Sequence, residues 1–409
     1  MKRRKFFKEM GLGLGALAPL TQVPSKKAPV PKKEKEPSTG SMDAAVEVNL
    51  DHLVWNLQQI RTAVQVPIMA VVKANAYGHG LVEVARLLEK EGISWLMVGK
   101  LEEALILRKA GVRSSILNFG SFSRQDCDLI VQNAISQSVY SEEVRFLHEA
   151  ALKLGRKAGV HLDVDTGMGR TGVSFKNVQP LLKKMASFSG LKIEGVMTTL
   201  TEDEKFDSEQ LRRLAEVCSE AKAKGIDVGL KHAASSAGIL RGPQFHLDLV
   251  RPGIMIYGYY PSAATQQEDK LSLKPALRLL ARVIDIRLLS PGDTLSYHRA
   301  YTADRDMWVA TVGLGYSEGY PAQLAGKGVV MIKGKTYPVI AAVTANHLMV
   351  DLKNSEEVRV KDEVILLDNR PEDELTADVV AELSGVSVYR ILIGLSPLVP
   401  RRAARTEAK

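Results

Sequence analysis

The sequence predicts an α/β barrel of the TIM type followed by a mostly β domain. Three observations carry this. Between residues 46 and 272, short apolar runs alternate with amphipathic stretches of helical period. The runs lack strict period-two alternation, as expected of parallel strands buried on both faces. After Leu273 the helical period largely disappears, and strand-like runs are separated by turn-forming residues.

The barrel elements follow in order. VEVNL leads into HLVWNLQQIRTAV, PIMAVVK into LVEVARLLEKEG, and SWLMVG into LEEALILRKAGV. SILNFG precedes a helix-like segment from Ser123, and ISQSVY precedes SEEVRFLHEAALKLG. GVHLDVD leads to VQPLLKKMASF and LKIEGVMTTL to SEQLRRLAEVCSEAKAKG, before DVGLKHAAS and HLDLVRPGIMIYG complete the set. Each pair is a strand and its crossover helix, and about eight such strands close into a barrel of ordinary length. Residues 273–401 read instead as hairpins, punctuated by PGD and KGK.

Of 409 residues, 45% are hydrophobic and 25% charged, the balance of a globular chain. The net charge of +8 suggests an anionic partner, but residues 1–40 hold ten Lys/Arg against three Asp/Glu, or +7. The rest is close to neutral, so nucleic acid is not an expected partner. No apolar run is long enough to span a bilayer. Residues 1–40 read as an export leader and linker: Arg3 and Arg4 with Phe6, Phe7 and Lys8 resemble a twin-arginine signal, which implies a periplasmic or exported protein free of the membrane after processing. An uncleaved basic tail or an inner-membrane anchor is the alternative. Ala16-Leu17-Ala18 is a candidate cleavage site, with Pro19 against it. Cys127 and Cys218 have no metal-ligand spacing and permit either a disulfide or two buried thiols.

In such a barrel the working residues stand at the C-terminal ends of strands. Lys73, Asp163 with Asp165, Thr198 with Thr199, His232 through Ser236, and Arg251 through Ile254 all fall there. A lone lysine ending "IMAVVK" would be a solvated strand cap, but five polar clusters converging on one mouth suggest a site.

The motifs VVKANAYGHG, DTGMGRTG, HAASSA, VRPGIMIYGY, GDTLSY and GLGYSEGY occur in this order between Val71 and Tyr320. Together they resemble the alanine racemases, enzymes of pyridoxal-phosphate fold type III, over residues 46 to 401. The resemblance implies that Lys73 holds the cofactor aldehyde through its amine and then serves as one base. A lysine must be neutral for this, and desolvation with nearby cations favours the neutral form. It implies that Tyr77, Ser236, Gly253, Ile254 and Tyr389 hold the phosphate. Arg251, with His232 beside it, would face the pyridine nitrogen, and Arg170 the phenolic oxygen or the substrate carboxylate. Because a guanidinium keeps its proton, the ring stays a weak electron sink and the bases must do more of the work. The second base implied is Tyr297, delivered by the β domain of a partner subunit, so that a homodimer shares its active sites. An interface tyrosine in water is the plain alternative.

Three positions depart from the family pattern. Asp163 stands where the family has a lysine that becomes carbamylated, and Thr199 where it has a histidine beside the second base. Thr344-Ala345-Asn346 replaces Cys-Met-Asp around the substrate methyl group. The last change widens the pocket, which leads us to expect a racemase of broad specificity or one acting on amino acids other than alanine. The alternatives weighed are a fold type III decarboxylase of basic amino acids and a non-catalytic pyridoxal-phosphate carrier. Arg251 and Tyr297 oppose the former, and residues 273–401 the latter.

Overall fold

The computed structural model describes residues 43–267, 270–353, 355–370 and 374–405. The leader expected over residues 1–40 lies outside them. Residues from Asp43 onward form one compact unit.

Parallel pairing follows from the doubly buried runs. Strands β1 (Ala44–Asn49), β2 (Met69–Val71), β3 (Trp95–Val98), β4 (Ser115–Asn118), β5 (Ile135–Val139), β6 (Ala158–Asp165), β7 (Val173–Ser174), β8 (Leu191–Met197) and β9 (Leu230–His232) precede the C-terminal half. The sheet order is β2-β3-β4-β5-β6-β8-β9, with β7 attached to β6. Met69, Ala70, Leu96, Val98, Ile116, Leu117, Leu162 and Val196 are all inaccessible, so neither face of this sheet meets water. The segment 248–252 closes the ring. On one side Asp248 N donates to Lys231 O and Arg251 N to Ala234 O; on the other, Met69 N donates to Val250 O and Val71 N to Pro252 O.

The helices outside the ring follow their apolar stripes. Helix Leu81–Lys90 buries Leu81, Val84, Ala85 and Leu88, the i, i+3, i+4, i+7 set of one face. Helix Leu50–Ala63 begins at Asn49, whose side chain accepts from the backbone N of Asp51 and His52. Among the described residues no helix is long and apolar enough to cross a membrane.

One boundary differs from the sequence expectation. The run VEVNL, read as the first barrel strand, is β1, and it pairs antiparallel with β10 (Leu277–Leu289) and parallel with β18 (Arg401–Ala404). A short run buried on both faces suits either sheet, and pairing across more than 200 residues leaves no local trace. The barrel proper begins at β2.

The C-terminal half continues with β11 (Thr294–Leu295), β12 (Tyr301–Thr302), β13 (Met307–Val312), β14 (Val329–Ile332), β15 (Lys335–Val343), β16 (Leu348–Asp351) and β17 (Glu363–Leu367). The order β13-β16-β15-β14-β17-β10, with β10 pairing again to β13, closes a second, antiparallel ring. Strand β10 is long enough to serve both ends, and irregular pairing after Val283 marks its bend. The KGK turn is the expected two-residue hairpin: Lys333 and Gly334 have φ of 51° and 76° and join β14 to β15. The small β11–β12 ladder carries Tyr297 in its connecting loop.

Candidate active site

Lys73 follows β2 after Val72 alone, but the chain does not turn into an ordinary helix there. Ala74, Asn75 and Ala76 have φ/ψ near 54°/54°, 56°/45° and 52°/52°, and Tyr77 has φ 51°. This is a turn of left-handed helix without glycine, at about 1–2 kcal/mol per residue, or roughly 3–6 kcal/mol for the first three. External bonds hold it. Asn75 N donates to Glu103 Oε1 at 3.0 Å, and Leu81 N to Asn75 Oδ1 at 2.8 Å. Gly78, at φ 84°, ends the turn; a Cβ there would lie 2.2 Å from Leu392 O, so the helix Val388–Ile393 rests on bare backbone. Arg401 Nε donates to Gly78 O at 2.9 Å, a further bond from the C-terminal half.

The Lys73 side chain is half-buried, its Nζ 5.3 Å from the centre of the Phe119 ring and 5.9 Å from that of Tyr77. Burial, and then the Arg170 guanidinium, push its pKa down, while Glu103 pulls the other way. The amine is thus biased toward the neutral form that nucleophilic and basic chemistry require.

Around it the expected phosphate residues converge. Tyr77 stacks on Tyr257 at 4.8 Å and lies 6.1 Å from Tyr389. Burial raises the pKa of Tyr77 and of Tyr389, the latter to about 12 with help from the Glu202 carboxylate, so they act as neutral hydroxyl donors. Ser236 Oγ accepts from Gly253 N at 3.0 Å and from Met255 N at 3.4 Å, with Ile254 between them. A Cβ on Gly253 would sit 2.4 Å from Tyr77 Oη. The cradle is therefore shaped by a missing side chain beneath a hydroxyl.

Arg251 is buried, and both of its Nη groups are engaged. Its Nη1 donates to His232 Nδ1 at 2.7 Å and to His232 O at 2.8 Å, and its Nη2 donates to Thr198 O at 2.8 Å and Ala233 O at 3.1 Å. Since arginine can only donate, His232 Nδ1 is the acceptor, and its Nε2–H then donates to His161 Nδ1 at 2.9 Å. Burial and the adjacent guanidinium keep His232 neutral, and burial holds His161 at about 4. Burial also lowers Arg251 to about 10, which leaves it charged at neutral pH.

Asp163 is buried within reach of the Arg251 and Arg170 charges, with Thr171 Oγ1 donating to its Oδ2 at 3.1 Å. Burial raises its pKa, against the pull of that bond and of Arg251 and Arg170. Arg170 itself is exposed and, among the described residues, has no hydrogen-bond or ion-pair partner; its charge is left facing Lys73 and Asp163. Thr199 ends β8 in a loop braced from behind: Gln210 Nε2 donates to Thr199 O and to Thr166 Oγ1, which is bonded in turn to Thr198.

The remaining expected residues lie apart from this cluster. Tyr297 is 76% exposed, and positive φ at Ser296, His298 and Arg299 constrains its loop. Thr344, Ala345 and Asn346 pack on the GLGYSEGY turn, where Asn346 Nδ2 donates to Ser317 Oγ and Glu318 Oε1. Among the described residues neither group has a hydrogen bond or ring contact to the Lys73 cluster.

A model of the alanine racemase N-terminal domain matches residues 48–261, and one of the alanine racemase C-terminal domain matches residues 276–403. The chain belongs to the alanine racemase family. It is 37% identical over 361 residues to the alanine racemase of Carboxydothermus hydrogenoformans, covering 87% of this chain and 98% of the relative. Against that of Clostridium perfringens it is 39% identical over 363 residues, with 87% and 94% covered. The solved alanine racemase of Clostridium difficile 630 superimposes with a TM-score of 0.84 at 32% identity, over 89% of this chain and 96% of that one. That of Bacillus anthracis, with bound L-Ala-P, gives 0.83 at 34% identity over 91% and 97%. That of Bartonella henselae, with covalently bound pyridoxal phosphate, gives 0.78 at 25% identity over 89% and 100%.

This chain is therefore a racemase, and its cofactor is pyridoxal phosphate. The donor set fits that group: a lysine biased toward neutrality, a glycine cradle under Tyr77, and the Ser236 hydroxyl among backbone N–H groups. The relatives named above are alanine racemases and favour neither the decarboxylase nor the carrier. Sequence reasoning missed Tyr257, which reads as core within VRPGIMIYGY, and Glu103, which reads as an ordinary first-turn acid of a helix. Both free thiols are as the open alternative allowed: Cys127 and Cys218 are unpaired, and burial raises each to about 11.

Proposed function

We propose that this racemase inverts free amino acids with two bases, Lys73 on one face of the substrate and the partner subunit's Tyr297 on the other, within a homodimer. The observation that carries it is the Lys73 amine, half-buried and biased to neutrality at the centre of the tyrosine and arginine cluster. Bound pyridoxal phosphate supplies the electron sink that acidifies the substrate Cα proton. Lys73 Nζ takes or gives that proton on its face. Tyr77, Tyr389 and Ser236 anchor the phosphate, Arg251 holds the ring nitrogen without giving it a proton, and Arg170 holds the phenolic oxygen or the substrate carboxylate. The Asp163 carboxylate supplies a fixed negative charge beside Arg170. The high exposure of Tyr297 in a constrained loop supports its delivery to a neighbour.

Mixing tests the shared site. K73A and Y297F should each lose about 10²–10⁴ in rate. After subunit exchange, hybrids with one intact site should restore about a quarter of wild-type activity. No recovery from exchanged subunits would refute the sharing.

The substrate range is the second part of the proposal. What supports it is that Ala345 is shorter than the methionine of the family pattern, while Asn346 is drawn toward Ser317 and Glu318. Because one methylene is worth only about 1–3 kcal/mol of discrimination, such an opening admits larger side chains readily. Loss of optical rotation with Ala, Ser, Lys, Arg and Met measures this, and rejection of everything but alanine sinks it. Export by the Arg3-Arg4 leader is proposed on the sequence alone; cell fractionation that finds the protein only in the cytoplasm would overturn it.

A further inference from the structure

The left-handed turn after Lys73 places three non-glycine residues in a conformation that an isolated chain avoids. One carboxylate is so placed as to hold it. Glu103 lies in the first turn of the helix Leu101–Lys109 and divides its two oxygens: Oε2 accepts from Gly99 N and Oε1 from Asn75 N, each at 3.0 Å. The first bond is ordinary capping of its own helix start. The second is not, because Asn75 belongs to the neighbouring strand end, two residues beyond Lys73. A single side chain thus ties the end of β2 to the end of β3. Both tied points flank the lysine: a Cβ on Gly99 would lie 3.3 Å from Lys73 Cβ and 3.7 Å from Glu103 Oε2.

We propose that Glu103 is a positioning residue for Lys73, fixing the left-handed turn that aims the amine into the barrel mouth. Asp and Gln are poor substitutes. Aspartate is one methylene too short to span both amides, and a glutamine amide offers one acceptor and presents its own N–H groups to the other donor. The charge has a second effect. The Glu103 charge acts on the Lys73 amine against burial and Arg170.

The inference rests on Lys73 being the lysine that holds the cofactor, so K73A is measured alongside. In the holoenzyme, E103Q should lower kcat by about 10²-fold, the cost of a misplacement of about 1 Å, and change KM far less. The visible circular dichroism of the lysine-held cofactor should weaken in parallel. The decisive variant is A74G in the E103Q background. Glycine adopts left-handed φ without the Cβ penalty, so A74G/E103Q should recover both kcat and the dichroic band toward wild type. If Glu103 only capped its helix, the added glycine would leave both at the E103Q level. Wild-type kcat and an unchanged band in E103Q, or no recovery of either in A74G/E103Q, overturns the proposal. A normal band in K73A would instead overturn the assignment of Lys73. Should E103Q also lower stability, it and its glycine double variant, compared at matched thermal stability, still decide.

Discussion

Replacing Gly253 with alanine tests the cradle with one methyl group. The new Cβ would lie 2.4 Å from Tyr77 Oη and 3.1 Å from Cζ, where ordinary contact begins at 3.4 Å. The hydroxyl must therefore retreat by about 1.0 Å (3.4 − 2.4). Tyr77 cannot easily do so, because its ring is stacked on the buried Tyr257 and its backbone lies in the left-handed turn. Overpacking of this kind costs about 1–3 kcal/mol. If the strain falls on the cofactor-binding form, affinity for pyridoxal phosphate drops by about 5- to 150-fold. Equilibrium binding followed by absorbance measures it. A double-mutant cycle isolates the cause, since Y77F removes the atom in closest conflict and leaves only the milder 3.1 Å contact. G253A should then cost markedly less in the Y77F background than in the wild type. An equal cost in both backgrounds would refute the geometry.

Acid should destabilise the protein between about pH 6.5 and 4. Burial holds His79 and His161 at about 4 against 6.5 when unfolded, so below 6.5 the unfolded chain binds protons that the folded one refuses. Stability is full above 6.5 and is lost as the pH falls toward 4, by on the order of 3 kcal/mol for each group; a urea midpoint unchanged between about pH 7 and pH 5 would contradict it. Asp207 is buried, pairs with Arg241, and accepts from Thr201 N, Thr201 Oγ1 and Glu202 N. D207A should therefore destabilise by about 3–5 kcal/mol in denaturant titration. Cys127 and Cys218, both with pKa raised by burial, should resist alkylation at neutral pH until the protein unfolds, as a timed thiol assay can follow.

The barrel and its mouth were legible because each strand end carries its own local signal. Apolar runs without alternation fixed the parallel sheet, and Lys73, Asp163, His232, Ser236 and Arg251 stand where such strands end. The bonds that make these residues a site were less legible. His161 reads as one more residue of an apolar run, and only the fold sets its ring 2.9 Å from His232. Gln210 sits on a polar helix and reads as solvated, yet it is buried and braces Thr166 and the Thr199 loop. The first strand was assigned to the wrong sheet because a short buried run does not specify its partner.

The turn after Lys73 shows most clearly where local reading stops. Lys-Ala-Asn-Ala-Tyr would be acceptable in a right-handed helix, and Ala is the best helix former of all. Nothing within those five residues favours the opposite hand except Asn75, whose type tolerates it. The choice is made from outside, by Glu103 on Asn75 N, by Asn75 Oδ1 on Leu81 N, and by Leu392 O pressed against Gly78. Two of these three grips come from elements of the barrel, and the third from the helix that also carries Tyr389. The hand of the turn, the aim of the lysine and the seating of the C-terminal helix are thus one structural decision. Loosening any one of the grips should therefore be felt first at Lys73, before the fold as a whole yields.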